Sequence, residues 1–156
     1  MPEYLIREAT IDDAIAIIPN IREADLDEVT AATGLPIRQV MIDCVRFSTH
    51  AWVGLADGEY VCIFGVSPVN ILAGQGAPWM IGTHGVELHQ FAFLRRCRWC
   101  VRIMKGIYNH LSNYVDVRNE RAIEWLKWLG ATFDEPAPHG AQGLPFMRFE
   151  MGSRDV

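Results

Sequence analysis

The order of strand-forming and helix-forming segments predicts an α/β (α+β) chain with a mixed, mostly antiparallel central sheet flanked by helices. Three features carry this expectation. Residues 51–55 and 60–66 are rich in strand formers and are separated by Asp57-Gly58, a strong short signal for a hairpin. A helical run over about residues 88–111 separates two strand segments, 78–83 and 113–117, as in a crossover that leaves two strands parallel. The chain then closes on a helix framed by Asn119 and Gly130, since Asn favours an N-cap and Gly the residue past a helix end.

Residues 4–7 read as a first strand. Thr10 with Asp13 resembles a capping box for a helix over 11–18, with Asp in place of the usual Glu or Gln. Pro19 and Asn20 break that helix, and residues 21–33 restart it up to Gly34. A third helix begins at Pro36, which suits a first-turn position, and runs toward Thr49 with Ile37, Val40, Met41, Cys44 and Val45 at helical spacing. Residues 67–77, with Pro68, Gly74 and Gly76, read as a loop. In the long helix, Leu94, Cys97, Val101, Met104, Tyr108 and Leu111 form the face expected against the sheet, and Gly106 is a possible kink. A helix over 120–129, strands over 131–134 and 146–151, and a loop PAPHGAQGLP complete the chain, which is expected to be a single domain over residues 1–156.

Composition bounds the function. With 50% hydrophobic and 21% charged residues the chain is an ordinary globular one. The first residues, MPEYLIREAT, lack the basic flank and apolar run of a signal peptide, and no stretch approaches the ~18 apolar residues of a membrane span, so no membrane role is expected. A net charge of −5 argues against a generic nucleic-acid binder, yet five of the fourteen basic residues fall between Arg95 and Lys105. The four cysteines are expected to be reduced and packed. Cys97 and Cys100 form a lone C-x-x-C inside a helical pattern without a second pair at zinc spacing, so no metal is expected.

Three groups of side chains stand out as candidates. His84, Glu87 and His89 follow the central strand, and histidine and glutamate are suited to taking a proton from an amine. Arg95, Arg98, Arg102 and Lys105 repeat at helical spacing, turned about 100° from the apolar face, with Trp99 among them. They read as a solvated stripe or as a contact for an acidic protein surface or packaged nucleic acid. Arg22, Asp25, Asp27 and Glu28 mark an acidic helix on which Arg22 and Asp25 lie one turn apart, either as a surface pair or as part of a recognition surface.

The run N-x-x-A-x-x-W-L-x-x-x-G-A-x-F, from Asn119 through Ala122, Trp125, Leu126 and Gly130 to Phe133, resembles the closing unit of the GNAT acetyltransferase superfamily. The element order is similar as well, over almost the whole chain. That superfamily binds acetyl-CoA at a turn of the form Q/R-x-x-G-x-G/A, where glycines let backbone N–H groups approach the pyrophosphate. Here THGVELHQFAFLRRC has no glycine after Gly85 until Gly106, and Leu126 stands where many of these enzymes carry a tyrosine general acid. READLDEV at 22–29, IFGVSP at 63–68, PWMIGT at 78–83, and NYVDVRN with WLKWLG between 113 and 130 are similar to a phage-encoded GNAT-like family that includes a small internal virion protein of short-tailed phages. The resemblance implies a phage internal virion or assembly-associated protein that has lost acetyl-CoA chemistry. It would have no cofactor, virion proteins or packaged DNA as partners, and a place in the virion interior or, during infection, in the host cytoplasm. The alternative is an acetyl-CoA-dependent N-acetyltransferase acting on a host or phage amine, with Arg95 and Arg96 toward the cofactor phosphates, Asn119 near the pantetheine arm, and His84 or Glu87 as base. A second alternative is a host-factor-binding protein made during infection.

Overall fold

The computed structural model describes residues 1–152. One sheet contains all eight described strands: β1 (Tyr4–Glu8), β2 (His50–Ala56), β3 (Glu59–Asn70), β4 (Gln75–Gly82), β5 (His110–Asp116), β6 (Thr132–Phe133), β7 (Ala137–His139) and β8 (Leu144–Gly152). Their order is β1-β2-β3-β4-β5-β8-β6, with β7 also on β8. Every pair is antiparallel except β4–β5. Helices α1 (Ile11–Ile17), α2 (Glu23–Thr33) and α3 (Ile37–Phe47) cover one face, and α4 (Gly85–Ile107) and α5 (Glu120–Trp128) the other. The period-2 alternation of strands sets this division: Cys62, Phe64 and Val66 pack with α4, whereas Ile63 and Ile81 pack with Ala14, Ile17 and Met41.

Local signals account for most boundaries. Thr10 and Asp13 form the expected capping box, and Asp13 also takes two hydrogen bonds from Arg7 and one from the Tyr60 hydroxyl. Asp57 and Gly58 turn with φ of 49° and 81°, the left-handed pair of a tight hairpin. Gly34 ends α2 at φ 64°, and the N–H groups of Ala141 and Gln142 then reach the free carbonyls of Ala32 and Ala31.

Several expectations are corrected. Residues 67–77 are not a loop, because β3 and β4 extend through them to a turn between Asn70 and Gln75. Pro68 is tolerated because β2 ends opposite Val66, so the side of β3 beyond it has no partner strand to supply. Opposite it, Gly76 leaves room for the Tyr108 ring, which an added Cβ would meet at 2.5 Å. Residues 18–20 form a 3₁₀ turn, and Ile21 bridges to Thr83 before α2 begins at Glu23. Pro36 caps α3 from outside. The long helix runs from Gly85 to Ile107, so Tyr108 and Leu111 are buried beyond it, and its irregular residue is His89 (φ −119°, ψ 20°), not Gly106. The final loop contains β7, which forms a hairpin with β8.

Candidate functional site: a cavity through the sheet

β4 and β5 hydrogen-bond only near their starts, at Gln75–His110 and Gly76–Leu111, and then diverge. The Asn113 side chain crosses the gap to the Pro78 carbonyl (2.9 Å). Past this link lies a cavity of about 310 Å³, with walls from both faces of the sheet: Val29 and Val40 from the α2–α3 side, and Cys97, Val101 and Trp125 from the α4–α5 side. Phe64, Trp79, Met80, Ile81 and Val115 complete a mainly apolar lining.

Backbone groups are exposed in this gap. Gly82 turns both its N–H and its carbonyl away from β3, donating to Asp25 Oδ2 (2.8 Å) and accepting from the Arg22 N–H (2.9 Å). By the two-residue alternation of an antiparallel ladder, Met80 also directs its N–H and carbonyl away from β3 and toward β5. Pro78, two residues earlier in the same register, has no N–H to lose.

At the open end of the gap α2 ties the two strands together. Asp25 holds the end of β4, while one turn on, Glu28 Oε1 accepts the Asp116 N–H (2.7 Å) at the end of β5. Asn119, the N-cap of α5, donates to Asp25 Oδ1 (2.9 Å) and accepts from Arg22 Nη2 (3.5 Å). Arg22 and Asp25 are 3.6 Å apart. Burial pushes the Glu28 carboxyl up to about 7, with the negative charges of Asp25 and Asp116 adding to the rise against the Asp116 N–H bond. Burial also opposes ionisation of Asp116, but its pairing with Arg118 keeps that carboxyl below the usual range.

Trp125 forms the opposite wall. It is 8% exposed, and its buried indole N–H has no acceptor among the described residues. An unpaired buried donor costs about 1–3 kcal/mol. Trp125 also lines a groove of about 170 Å³ between α4 and α5, with Gln90, Leu94, Arg121 and Trp128. It therefore borders both that groove and the cavity.

The fold redistributes the residues singled out from sequence. Arg22, Asp25 and Asn119 come together at the cavity, but as a buried network and not as an exposed pair. Lys105, at 8% exposure, leaves the solvated stripe, whereas Arg95, Arg96, Arg98, Arg102 and Trp99 remain exposed. Arg96 lies over the Tyr4 ring and Arg98 over the Trp128 ring (3.8 Å). His84 and Glu87 are exposed and do not line the cavity; Glu87 sits 3.9 Å from Arg121, and His89 hydrogen-bonds the Tyr4 hydroxyl. Cys97 and Cys100 are buried, with thiols pushed up to about 12 by burial, which suits packing and not ligation.

From the sequence, Glu28 stood only among the acidic residues of α2 and Trp125 only within the run that carries the resemblance, neither with a role at a site. The 3–4 spacing of Arg22, Asp25, Glu28 and Ala32 was a usable signal, since it puts the charges on one helical stripe with a small residue.

The residues fit part of a coenzyme A thioester and not the rest. A free strand edge at Met80 and an apolar passage walled by Trp125 suit an amide-bearing arm. The entrance to α4 does not suit a pyrophosphate. The N–H groups of Gly85, Val86 and Glu87 already bond Thr83 Oγ1, the Thr83 carbonyl and the His84 carbonyl, and Glu87 adds a negative charge in the first turn.

Solved structures similar to this chain include acetyltransferases. A spermidine N-acetyltransferase from Vibrio cholerae, solved with CoA and spermine, superposes with a TM-score of 0.74 at 10% identity, over 97% of this chain and 96% of its own. The ribosomal-protein-S5-alanine acetyltransferase from Vibrio fischeri gives 0.68 at 12% identity, over 99% and 98%. An acetyltransferase of the GNAT family from Streptococcus pneumoniae gives 0.67 at 16% identity, over 96% and 99%. The chain thus has the GNAT acetyltransferase fold. No protein-family model matches the chain, and no curated protein matches it by sequence.

Proposed function

We propose that the protein is an N-acyltransferase that moves an acyl group from a thioester to a primary amine inside the cavity between β4 and β5. The observation that carries this reading is the asymmetry of the cavity: carboxylates at the α2 side, the Trp125 side chain at the α4–α5 side, and an apolar passage between them. An ammonium group is drawn to Asp25 and Glu28, and ionised Glu28, held near neutrality, accepts its proton. The freed nitrogen attacks the thioester carbonyl. A C–N bond forms, the C–S bond breaks, and the departing thiolate takes up, through water, the proton that the attacking nitrogen then loses. Trp125 is the donor proposed for a carbonyl of the arm or the acyl group, and the Met80 backbone aligns the arm as an added strand would. Arg22 and Asn119 hold the Asp25 carboxylate in place and are positioning residues.

Acetyl-pantetheine, which carries no phosphate, tests this with a panel of primary amines that includes polyamines and peptide N-termini. Thiol release and product mass should show turnover above background that falls about 100-fold in Glu28→Gln. The Trp125 indole N–H resonance should shift on titration with the thioester. Absence of both would refute the reading. It would leave the protein as a contact scaffold, in a phage particle or on a host factor, a role whose one supporting observation is the exposed aromatic and cationic face of α4.

A further inference from the structure

We propose that the acyl donor is a thioester on the phosphopantetheine arm of an acidic carrier protein, which docks on the outer face of α4. This rests on the transferase reading above and concerns what holds the far end of the arm. Free coenzyme A brings a pyrophosphate, a further phosphate and an adenine. At the entrance to α4 the first N–H groups are already bonded, and Glu87 and Glu124 flank the groove that leads to Trp125. Among the described residues, Arg121 is the one cation lining that groove, where it hydrogen-bonds Gln90 and pairs with Glu87. Inside the groove that charge suits one phosphodiester.

Beside the groove lies a surface of another kind. Leu88 is 82% exposed, Phe91 72% and Trp99 59%, and the exposed Arg95, Arg98 and Arg102 stand among them. Large exposed apolar side chains clustered with arginine mark a protein contact. This surface is positive on a chain whose net charge is −5, so it complements an acidic partner against the sign of the whole molecule. It is also continuous with the groove, since Arg98 stacks on Trp128 and Trp128 lines the groove next to Trp125. A carrier seated on α4 would lead its arm along Gln90 and Trp128 to Trp125 and the cavity. The mixture of apolar rings with few arginines favours a protein over nucleic acid, which would call for a denser row of cations.

In the transfer step the amine nitrogen bonds the acyl carbon as the carbon–sulfur bond to the arm breaks. The products are the amide, the carrier's free thiol and the proton released from the ammonium group.

The test titrates the ¹⁵N-labelled protein with a bacterial type II acyl carrier protein in acetylated, thiol and arm-free forms, with acetyl-CoA, with acetyl-pantetheine and with duplex DNA. The acetylated carrier should bind at least ~10-fold more tightly than acetyl-CoA and shift the Trp125 indole resonance, weakening with salt. The arm-free carrier should perturb α4 without moving Trp125. A Trp99→Ser, Arg102→Glu double variant should lose at least ~10-fold in carrier affinity and keep its response to acetyl-pantetheine, which also reports that it is folded. No saturable carrier binding by ~1 mM, acetyl-CoA binding as tightly as the carrier, or DNA as the better ligand of α4 would each overturn the inference. If acetyl-pantetheine neither turns over nor moves Trp125, the transferase reading itself fails.

Discussion

Replacing Glu28 by Gln should stabilise the folded protein at alkaline pH while removing its activity. The side chain is partly buried beside Asp25 and Asp116, and its carboxyl moves from 4.5 to about 7. A group whose folded value is raised binds more protons in the native than in the unfolded chain between those two pH values. Native stability therefore falls as pH rises from about 4.5 to 7 and stays lower above it. At ~1.36 kcal/mol per pH unit the full gap is worth about 3 kcal/mol, and partial solvent contact reduces this to about 1–3 kcal/mol. The glutamine amide oxygen can still accept the Asp116 N–H, so only the charge is lost. Urea unfolding of wild type and variant at pH 5 and pH 8.5 isolates the effect, because other titrating groups cancel in the difference. The advantage of the variant should grow by about 1–3 kcal/mol between the two pH values. A difference that stays constant with pH would mean that Glu28 is ionised without penalty, and the proposal of a base poised near neutrality would lose its footing. In the same pH series, turnover by the wild type should rise through about 7 and level off.

Trp125→Phe should change stability by no more than about 1 kcal/mol, because removing a buried donor without an acceptor among the described residues offsets the loss of part of a core ring. The same change should weaken acetyl-pantetheine binding about 5- to 10-fold, readable by calorimetry. Asp13→Asn should cost about 2 kcal/mol at pH 7, since Arg7, Thr10 and Tyr60 all converge on that carboxylate. Pairing with Arg7 holds the carboxyl well below the usual range, so the contribution is present above about pH 4 and is lost as pH falls further. Acid titration of wild type against variant should show the two converging there. Gly76→Ala should lower stability by about 1–3 kcal/mol, because the new Cβ meets a Tyr108 ring anchored by its bond to Thr49, and thermal unfolding measures the loss.

Features that act within a few residues were readable in the chain. Thr10 with Asp13, Asp57 with Gly58, and Asn119 with Gly130 each specify backbone dihedrals or satisfy the first free N–H groups of a helix, and each appears where expected. The apolar spacing of Leu94, Cys97, Val101 and Met104 likewise identified the buried face of α4. Where a signal was ambiguous locally, the sheet decided. Pro68, Gly74 and Gly76 suggested a loop, but the β3–β4 pairing recruits Pro68 and Gly76 at positions where the ladder needs neither a proline N–H nor a glycine side chain.

The site depended on distances the chain does not encode locally. Asp25 meets Gly82 and Asn119 across separations of 57 and 94 residues, and only the crossover through α4 brings those three backbones to one gap. Helical spacing placed Arg22 beside Asp25, yet it could not say that the pair would be buried between two diverging strands. Similarly, Lys105 shares a sequence stripe with exposed arginines and is buried all the same. Local dihedral preferences therefore determined which elements form, while the divergence of β4 from β5, a property of their packing, decided which charges sit in low dielectric and face a cavity.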